Sequence, residues 1–259
     1  MKFFDSHSHL DDEKFNDDRY EIIEKVLKEN NSEFVSVGYN LTSSKFAVDL
    51  SNRYSKIYSA VGLSPNDIPQ NDNELWKQLE TIKFLAQNNT KVKAIGEIGL
   101  DYFWNKENKE LQKTAFIKQI DLANSLCLPI AIHTRDAVMD TLEILKTHKV
   151  ENTGIFHCCP LNRELIKEGL KLGFYISFSG TVTFKNSKNA DEMINLVPDD
   201  KILIETDSPY LSPEPVRGTR NVPTNVRYVA EKIAKAKQYN LEKIAKITYN
   251  NAKKIYKII

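Results

Sequence analysis

Short apolar runs begin near Lys2, Phe34, Ile57, Val92, Pro129, Thr153, Phe174 and Lys201, at a mean interval of about 28 residues. Several of them, such as 129–132 (PIAI) and 201–204 (KILI), are apolar without alternation, as strands buried on both faces must be. The segments 18–29, 73–88, 107–126 and 161–172 carry apolar residues at three- and four-residue spacing, the period of a helix with one buried face. The stretch 224–258 reads as two further helices. Eight strand–helix units in 259 residues match a closed (β/α)8 TIM barrel of parallel strands, for which ~250 residues is typical. An open doubly wound sheet is the competing arrangement, but no Gly-x-Gly-x-x-Gly turn follows any early run. No linker or low-complexity tract interrupts 1–259, so a single α/β domain is predicted, with extra helices at the C-terminal end.

Composition narrows the class further. With 41% hydrophobic residues and a net charge of +1, from 36 basic and 35 acidic side chains, the chain has the material for a core. It also lacks the overall field of a protein that coats nucleic acid. The charge is unevenly placed: residues 5–33 hold ten acidic and four basic side chains, and residues 231–259 hold eight lysines and two glutamates. That basic end is either a solvated face or an electrostatic guide for a polyanion. No apolar run approaches the ~20 residues of a membrane span. The start, Lys2-Phe3-Phe4-Asp5, is not a signal-peptide pattern. Cys127, Cys158 and Cys159 are too few and too oddly spaced for a disulfide framework and point to a reducing cytoplasm. Adjacent Cys158-Cys159 could ligate a soft metal, but with no Cys-x-x-Cys partner elsewhere they read as small buried thiols. A monomer with no membrane partner is expected.

A barrel gathers its chemistry where strands end and the following loops begin. Four of the five histidines obey that rule. His7 and His9 close the first run within 5–10 (DSHSHL), His133 follows 129–132, and His157 follows Ile155-Phe156. Glu97, within 94–102 (AIGEIGLDY), ends the fourth strand, and Asp207, within 203–211 (LIETDSPYL), ends the eighth. Residues two apart on a strand share a face, so His7 and His9 can grip one ion. His148, near a helix C-terminus, is the exception and suits the dipole there. Each histidine taken singly could be a satisfied core residue, but four of them with two carboxylates at strand ends argue for metal. Imidazole favours Zn, Mn, Fe or Ni, and carboxylates extend the range to Mg. Six ligands exceed one open tetrahedral site and suit two divalent ions (Mg, Mn or Zn) about 3.5–4 Å apart. Hydrolysis of a phosphoester or an amide is the natural chemistry of such a pair.

At these residues the chain resembles the TatD family of metal-dependent deoxyribonucleases, within the wider amidohydrolase-like barrels. The likeness runs through 5–11 (DSHSHLD), 96–102 (GEIGLDY), 132–137 (IHTRDA), 156–158 (FHC), 174–186 (FYISFSGTVTFKN), 205–211 (ETDSPYL) and 217–221 (RGTRN). The resemblance implies that His7, His9 and Asp207 hold one metal, His133 and His157 the other, and Glu97 bridges them. It implies hydrolysis of DNA or RNA ends, typically as a 3′–5′ exonuclease on single strands. In that scheme an activated water attacks phosphorus and Asp207 takes its proton, so Asp207 and Glu97 are the catalytic pair. Arg135 is placed to hold a phosphate in bidentate fashion. Arg217 and Arg220 are further candidates, and each of the three arginines could instead be a surface charge or a rim ion pair. Tyr102 and Asp101 could line a substrate groove, and Trp104 either offers a stacking surface or plugs a hydrophobic gap. Asp5 and Glu205, each two residues before a ligand, either orient imidazoles or form a buried polar layer.

Three departures from the family pattern bear on substrate rather than on metal. Its usual His-Pro-His is Ser64-Pro65-Asn66 here, and the Phe-Ser-Gly after His-Cys is Cys159-Pro160-Leu161. Its Arg-Asn-Glu-Pro is Arg220-Asn221-Val222-Pro223. Two other readings therefore stand beside the nuclease: a hydrolase of a small phosphoester or cyclic amide, and a non-catalytic metal-binding scaffold. Barrels of the first kind often bridge their metals with a carboxylated lysine, whereas Glu97 occupies the bridging position here.

Overall fold

The computed structural model describes residues 1–29 and 32–258. Eight parallel strands follow in chain order with helices between them, the (β/α)8 arrangement expected from the periodicity. The chain divides into two compact units, one of Met1–Ser36 with His157–Ile259 and one of Val37–Phe156.

In the first unit β1 (Phe4–Ser8) lies parallel to β2 (Glu33–Val37), with Asp5 opposite Phe34. Between them, α1 (Arg19–Glu24) passes into a π-helical turn, Lys25–Glu29, so the helix read over 18–29 is regular only in its first half. β7 (Tyr175–Phe178) pairs with β8 (Ile202–Ile204). Beyond β8 the chain returns to β1: Ser8 bridges Ser208, and Asp207 N–H donates to the His7 carbonyl at 2.9 Å. This seam fixes the C-terminal end of β1 against the loop after β8. Every residue of these four strands is buried, which is why their sequences do not alternate.

Helices α6 (Arg163–Lys171), α7 (Ala190–Leu196), α8 (Val226–Lys237) and α9 (Leu241–Ile255) complete the unit. α8 buries Val226, Val229, Ala230 and Ile233, and α9 buries Ile244, Ala245, Thr248 and Ala252, the one-faced pattern read from the sequence. Burying each Ile or Phe of this kind contributes about 1.5–3 kcal/mol. α8 stops at Gln238, whose φ of +56° turns the chain, and Asn240 caps α9 by accepting from Lys243 N–H. Part of the basic C-terminal end is engaged locally, because Lys232, Lys237 and Lys253 pair with Asp191, Asp199 and Glu33.

The second unit strings β3 (Ile57–Val61), β4 (Val92–Asp101), β5 (Ile130–Arg135) and β6 (Gly154–Phe156) into consecutive parallel pairs. Helices α2 (Leu41–Arg53), α3 (Asp72–Asn88), α4 (Lys109–Ser125) and α5 (Val138–Thr147) connect them. α2 begins with a reciprocal cap between Asn40 and Ser43, and α3 with Asn71 accepting from Asn73 and Glu74 N–H. His148 caps α5 at its C-terminus, as its position suggested.

Glu97 does not end its strand. After an irregularity between Ile95 and Ile98, β4 continues beside β5 to Asp101 opposite Arg135. The continuation depends on Gly99, which lies opposite His133 at a φ of +136°. A Cβ there would fall 2.1 Å from the His133 carbonyl oxygen. Among the described residues no helix is long and apolar enough to cross a membrane.

Candidate metal centre

In the first unit His7 and His9 project together from the end of β1, and their Nε2 atoms approach to 3.1 Å. Asp207 enters from the loop after β8 at a φ of +55°, with Oδ1 3.3 Å from His9 Nε2 and 3.9 Å from His7 Nε2. Three donor atoms thus converge from two chain segments. With metal–ligand bonds of about 2.0–2.2 Å, ligand atoms around one ion stand roughly 3–3.5 Å apart. The His7–His9–Asp207 set fits such an ion. Burial pushes the Asp207 carboxyl up, but the His9 hydrogen bond and the His9, His157 and His7 charges outweigh it and hold the group below the usual carboxylate range.

His157 stacks on His7, with ring centroids 3.9 Å apart and planes 11° from parallel. This stacking brings a third buried imidazole, 4% exposed, against the His7–His9 pair. Glu205 is wholly buried and lies 3.4 Å from His157 Nδ1. It also accepts the Cys158 N–H at 2.5 Å, so it fixes the backbone after β6 beside that ring.

Asp5 works on the main chain rather than on a ring. It accepts N–H bonds from His7 and Thr206 at 3.2 and 2.9 Å, and the Thr206 hydroxyl at 2.5 Å. Burial pushes its carboxyl up to about 8, despite these bonds. Of the two roles open to each residue, Asp5 belongs to a buried polar layer, while Glu205 also touches a candidate ligand.

The second unit holds Glu97 and His133. His133 Nδ1 lies 2.9 Å from Glu97 Oε1, and its Nε2 lies 2.9 Å from Asp101 Oδ2. A ring with one nitrogen toward a ligand carboxylate and the other on a fixed acceptor is the usual arrangement of a metal-binding histidine. Asp101 is therefore not a groove-lining group. It is buried, and it also accepts from Phe103 N–H, Trp104 N–H and Asn66 Nδ2 at 2.9, 3.0 and 3.3 Å. Burial raises its pKa, but the His133, Trp104 and Asn66 bonds prevail and bring it to about 2.

Asn66, in place of the family's second histidine, is thus a neighbour of this carboxylate, and Ser64 donates to Asp67 at 2.7 Å. The sequence shows Asp101 four residues after Glu97, but only the bulged continuation of β4 brings it to His133. Asp101→Asn is expected to weaken Mn²⁺ binding about ten- to hundredfold, measured by calorimetric titration, because the amide substitutes a donor for one of two loaded oxygens. Affinity equal to wild type would remove this role.

The remaining sequence candidates are placed differently. Tyr102 is buried, and its hydroxyl donates to Asp140 at 2.7 Å, where Lys113 also binds at 2.9 Å. Arg220 forms a two-pronged pair with Asp18, with N–O distances of 2.8 and 2.5 Å, and also donates to the Lys14 carbonyl. This is the rim ion pair weighed from the sequence. Arg217 lies 3.5 Å over the ring of Phe184, and Arg135 lies 3.8 Å over that of Phe103. Cys158 and Cys159 are thiols held protonated by burial and by neighbouring acidic groups, so neither is a nucleophile.

The structure superposes on that of YjjV, a TatD homologue of Escherichia coli, with a TM-score of 0.92 over 99% of this chain and 98% of that one. At 24% identity, that likeness speaks for the fold alone. In sequence the chain is 44% identical to the uncharacterized metal-dependent hydrolase YabD of Bacillus subtilis, over 91% of each chain. It is 39% identical to the uncharacterized metal-dependent hydrolase YcfH of Escherichia coli, over 92% of this chain and 89% of the other. The family model described as TatD related DNase matches residues 4–257. From its fourth residue almost to its last, then, this chain is a member of the TatD-related DNase family.

Proposed function

We propose that the protein is a metal-dependent hydrolase that cleaves phosphodiester bonds of nucleic acid, acting from the 3′ end of single strands. The carrying observation is the convergence of His7 Nε2, His9 Nε2 and Asp207 Oδ1 at 3.1–3.9 Å, with the Asp207 carboxyl held below the usual carboxylate range. Two divalent ions are proposed, the first on that set and the second on ligands that include Glu97 and His133. Divalent ions supply acidification of a water nucleophile and neutralisation of charge on the phosphate. Asp207, kept ionised at neutral pH, accepts the proton of the attacking water at a carboxylate oxygen. Asp101 holds His133 in one ring orientation through Nε2, and the buried Glu205 carboxylate lies 3.4 Å from His157 Nδ1. The names of YabD and YcfH, metal-dependent hydrolases, support the general class, and the family's description supports the substrate.

The test is a 5′-labelled single-stranded oligonucleotide incubated with Mg²⁺ or Mn²⁺. A ladder shortening from the 3′ end is expected, with none in chelator. Rapid hydrolysis of small phosphoesters beside an intact oligonucleotide would move the substrate to the small-molecule class. Absence of both metal binding and hydrolysis would leave the scaffold reading.

A further inference from the structure

Immediately after β4 the chain presents two large aromatic side chains to solvent. Trp104 is 69% exposed and Phe103 46%. They meet edge to face, with centroids 4.9 Å apart. Arg135, the last residue of β5, lays its guanidinium carbon 3.8 Å from the Phe103 ring centre and 5.5 Å from that of Trp104. A contiguous aromatic surface held in water marks a place for a ligand more often than a lone exposed side chain does.

The surface is also rigidly mounted. Phe103 N–H and Trp104 N–H both donate to Asp101 Oδ1, and Tyr102 N–H donates to the Arg135 carbonyl at 2.9 Å. The other Asp101 oxygen binds His133 Nε2. The aromatic pair and a candidate metal ligand therefore hang from the two oxygens of one carboxylate. Aromatic faces beside a guanidinium match the two halves of a nucleotide, since a base stacks on the ring and a phosphate pairs with the cation. Lys109, the first residue of α4, lies 4.4 Å over the neighbouring Tyr102 ring and adds a positive charge beside this loop. That charge favours a polyanion over an apolar protein partner.

We infer that Phe103, Trp104 and Arg135 form a base-stacking subsite for single-stranded nucleic acid beside the Glu97–His133 cluster. The inference rests on the nuclease reading above but has its own readout. Stacking on an aromatic face tolerates any base, so the subsite grips a strand without selecting sequence. A duplex end offers no unstacked base to it, which makes single strands its preferred ligand.

The chain has two tryptophans, so Trp76→Phe leaves Trp104 as the sole indole reporter. In chelator, where no turnover occurs, octathymidylate should quench Trp104 emission and an abasic strand of equal length should not. In Mn²⁺, Trp104→Ala should raise KM for octathymidylate by about tenfold, and Trp104→Phe, which keeps an aromatic face, by much less. Equal quenching by the abasic strand, or a KM unmoved by Trp104→Ala, overturns the subsite and leaves the nuclease reading standing. A wild-type protein that cleaves no oligonucleotide removes the nuclease reading, whereas base-dependent quenching in that same protein still supports the subsite.

Discussion

Under the proposed phosphodiesterase activity, Asp207→Ala should lower metal-dependent hydrolysis by about a thousandfold or more at neutral pH, equivalent to roughly 4 kcal/mol of transition-state stabilisation. The size follows from the number of roles the carboxylate combines. It is the carboxylate member of the His7–His9–Asp207 set and, in the proposed reaction, the group that takes a proton from the nucleophile. Its removal takes the only carboxylate from the His7–His9–Asp207 set, so Mn²⁺ affinity should fall together with kcat. Asp207→Asn separates the roles, because it preserves the shape while removing the charge and the proton-accepting oxygen. Activity and bound metal measured on the same preparations decide the matter. Retention of activity within tenfold of wild type in Asp207→Ala would end the assignment of Asp207 to the reacting centre.

Gly99→Ala should be among the most destabilising single substitutions in the protein, costing about 3 kcal/mol. Two effects add. At a φ of +136° a side chain meets its own backbone, and the new Cβ would also lie 2.1 Å from the His133 carbonyl oxygen. Relief requires β4 and β5 to separate at the point where His133 is held, so metal affinity should fall along with stability. Gly218 supplies the control: its φ is +87°, but a Cβ there meets nothing within 4 Å. Gly218→Ala should therefore cost only the backbone strain, about 1 kcal/mol. Urea denaturation of both variants tests the argument, and equal losses would show that the close approach to β5 does not matter.

These two sites illustrate what can be read from a sequence and what cannot. The strand starts at Ile57 and Val92 and the paired helices of 224–258 were legible because apolar periodicity reports burial directly. The meeting of His7, His9 and Asp207 follows from β1 ending beside the loop after β8, a neighbourhood that a parallel strand order makes readable from chain position. Asp101 was misread because its role depends on β4 running past Glu97, and that continuation rests on one positive-φ glycine and a shifted register. No hydrophobic pattern encodes a register shift. The Arg220–Asp18 pair was weighed only as one of two options, since the partner lies some two hundred residues away. Asp5 was open for the same reason, as its main acceptor contacts are with Thr206, 201 residues on.

The seam between β1 and the loop after β8 has a consequence for the order of events in the life of the molecule. His7 and His9 precede Asp207 by about two hundred residues, so they leave the ribosome long before it does. The Asp5–Thr206 clamp must wait for the same moment, and the Tyr256 hydroxyl that donates to the Ser6 carbonyl comes later still. A growing chain thus carries two imidazoles that cannot yet form the His7–His9–Asp207 set. Loading of that set is a late event, and nicking the finished chain between β2 and β7 need not destroy it, whereas loss of either end must.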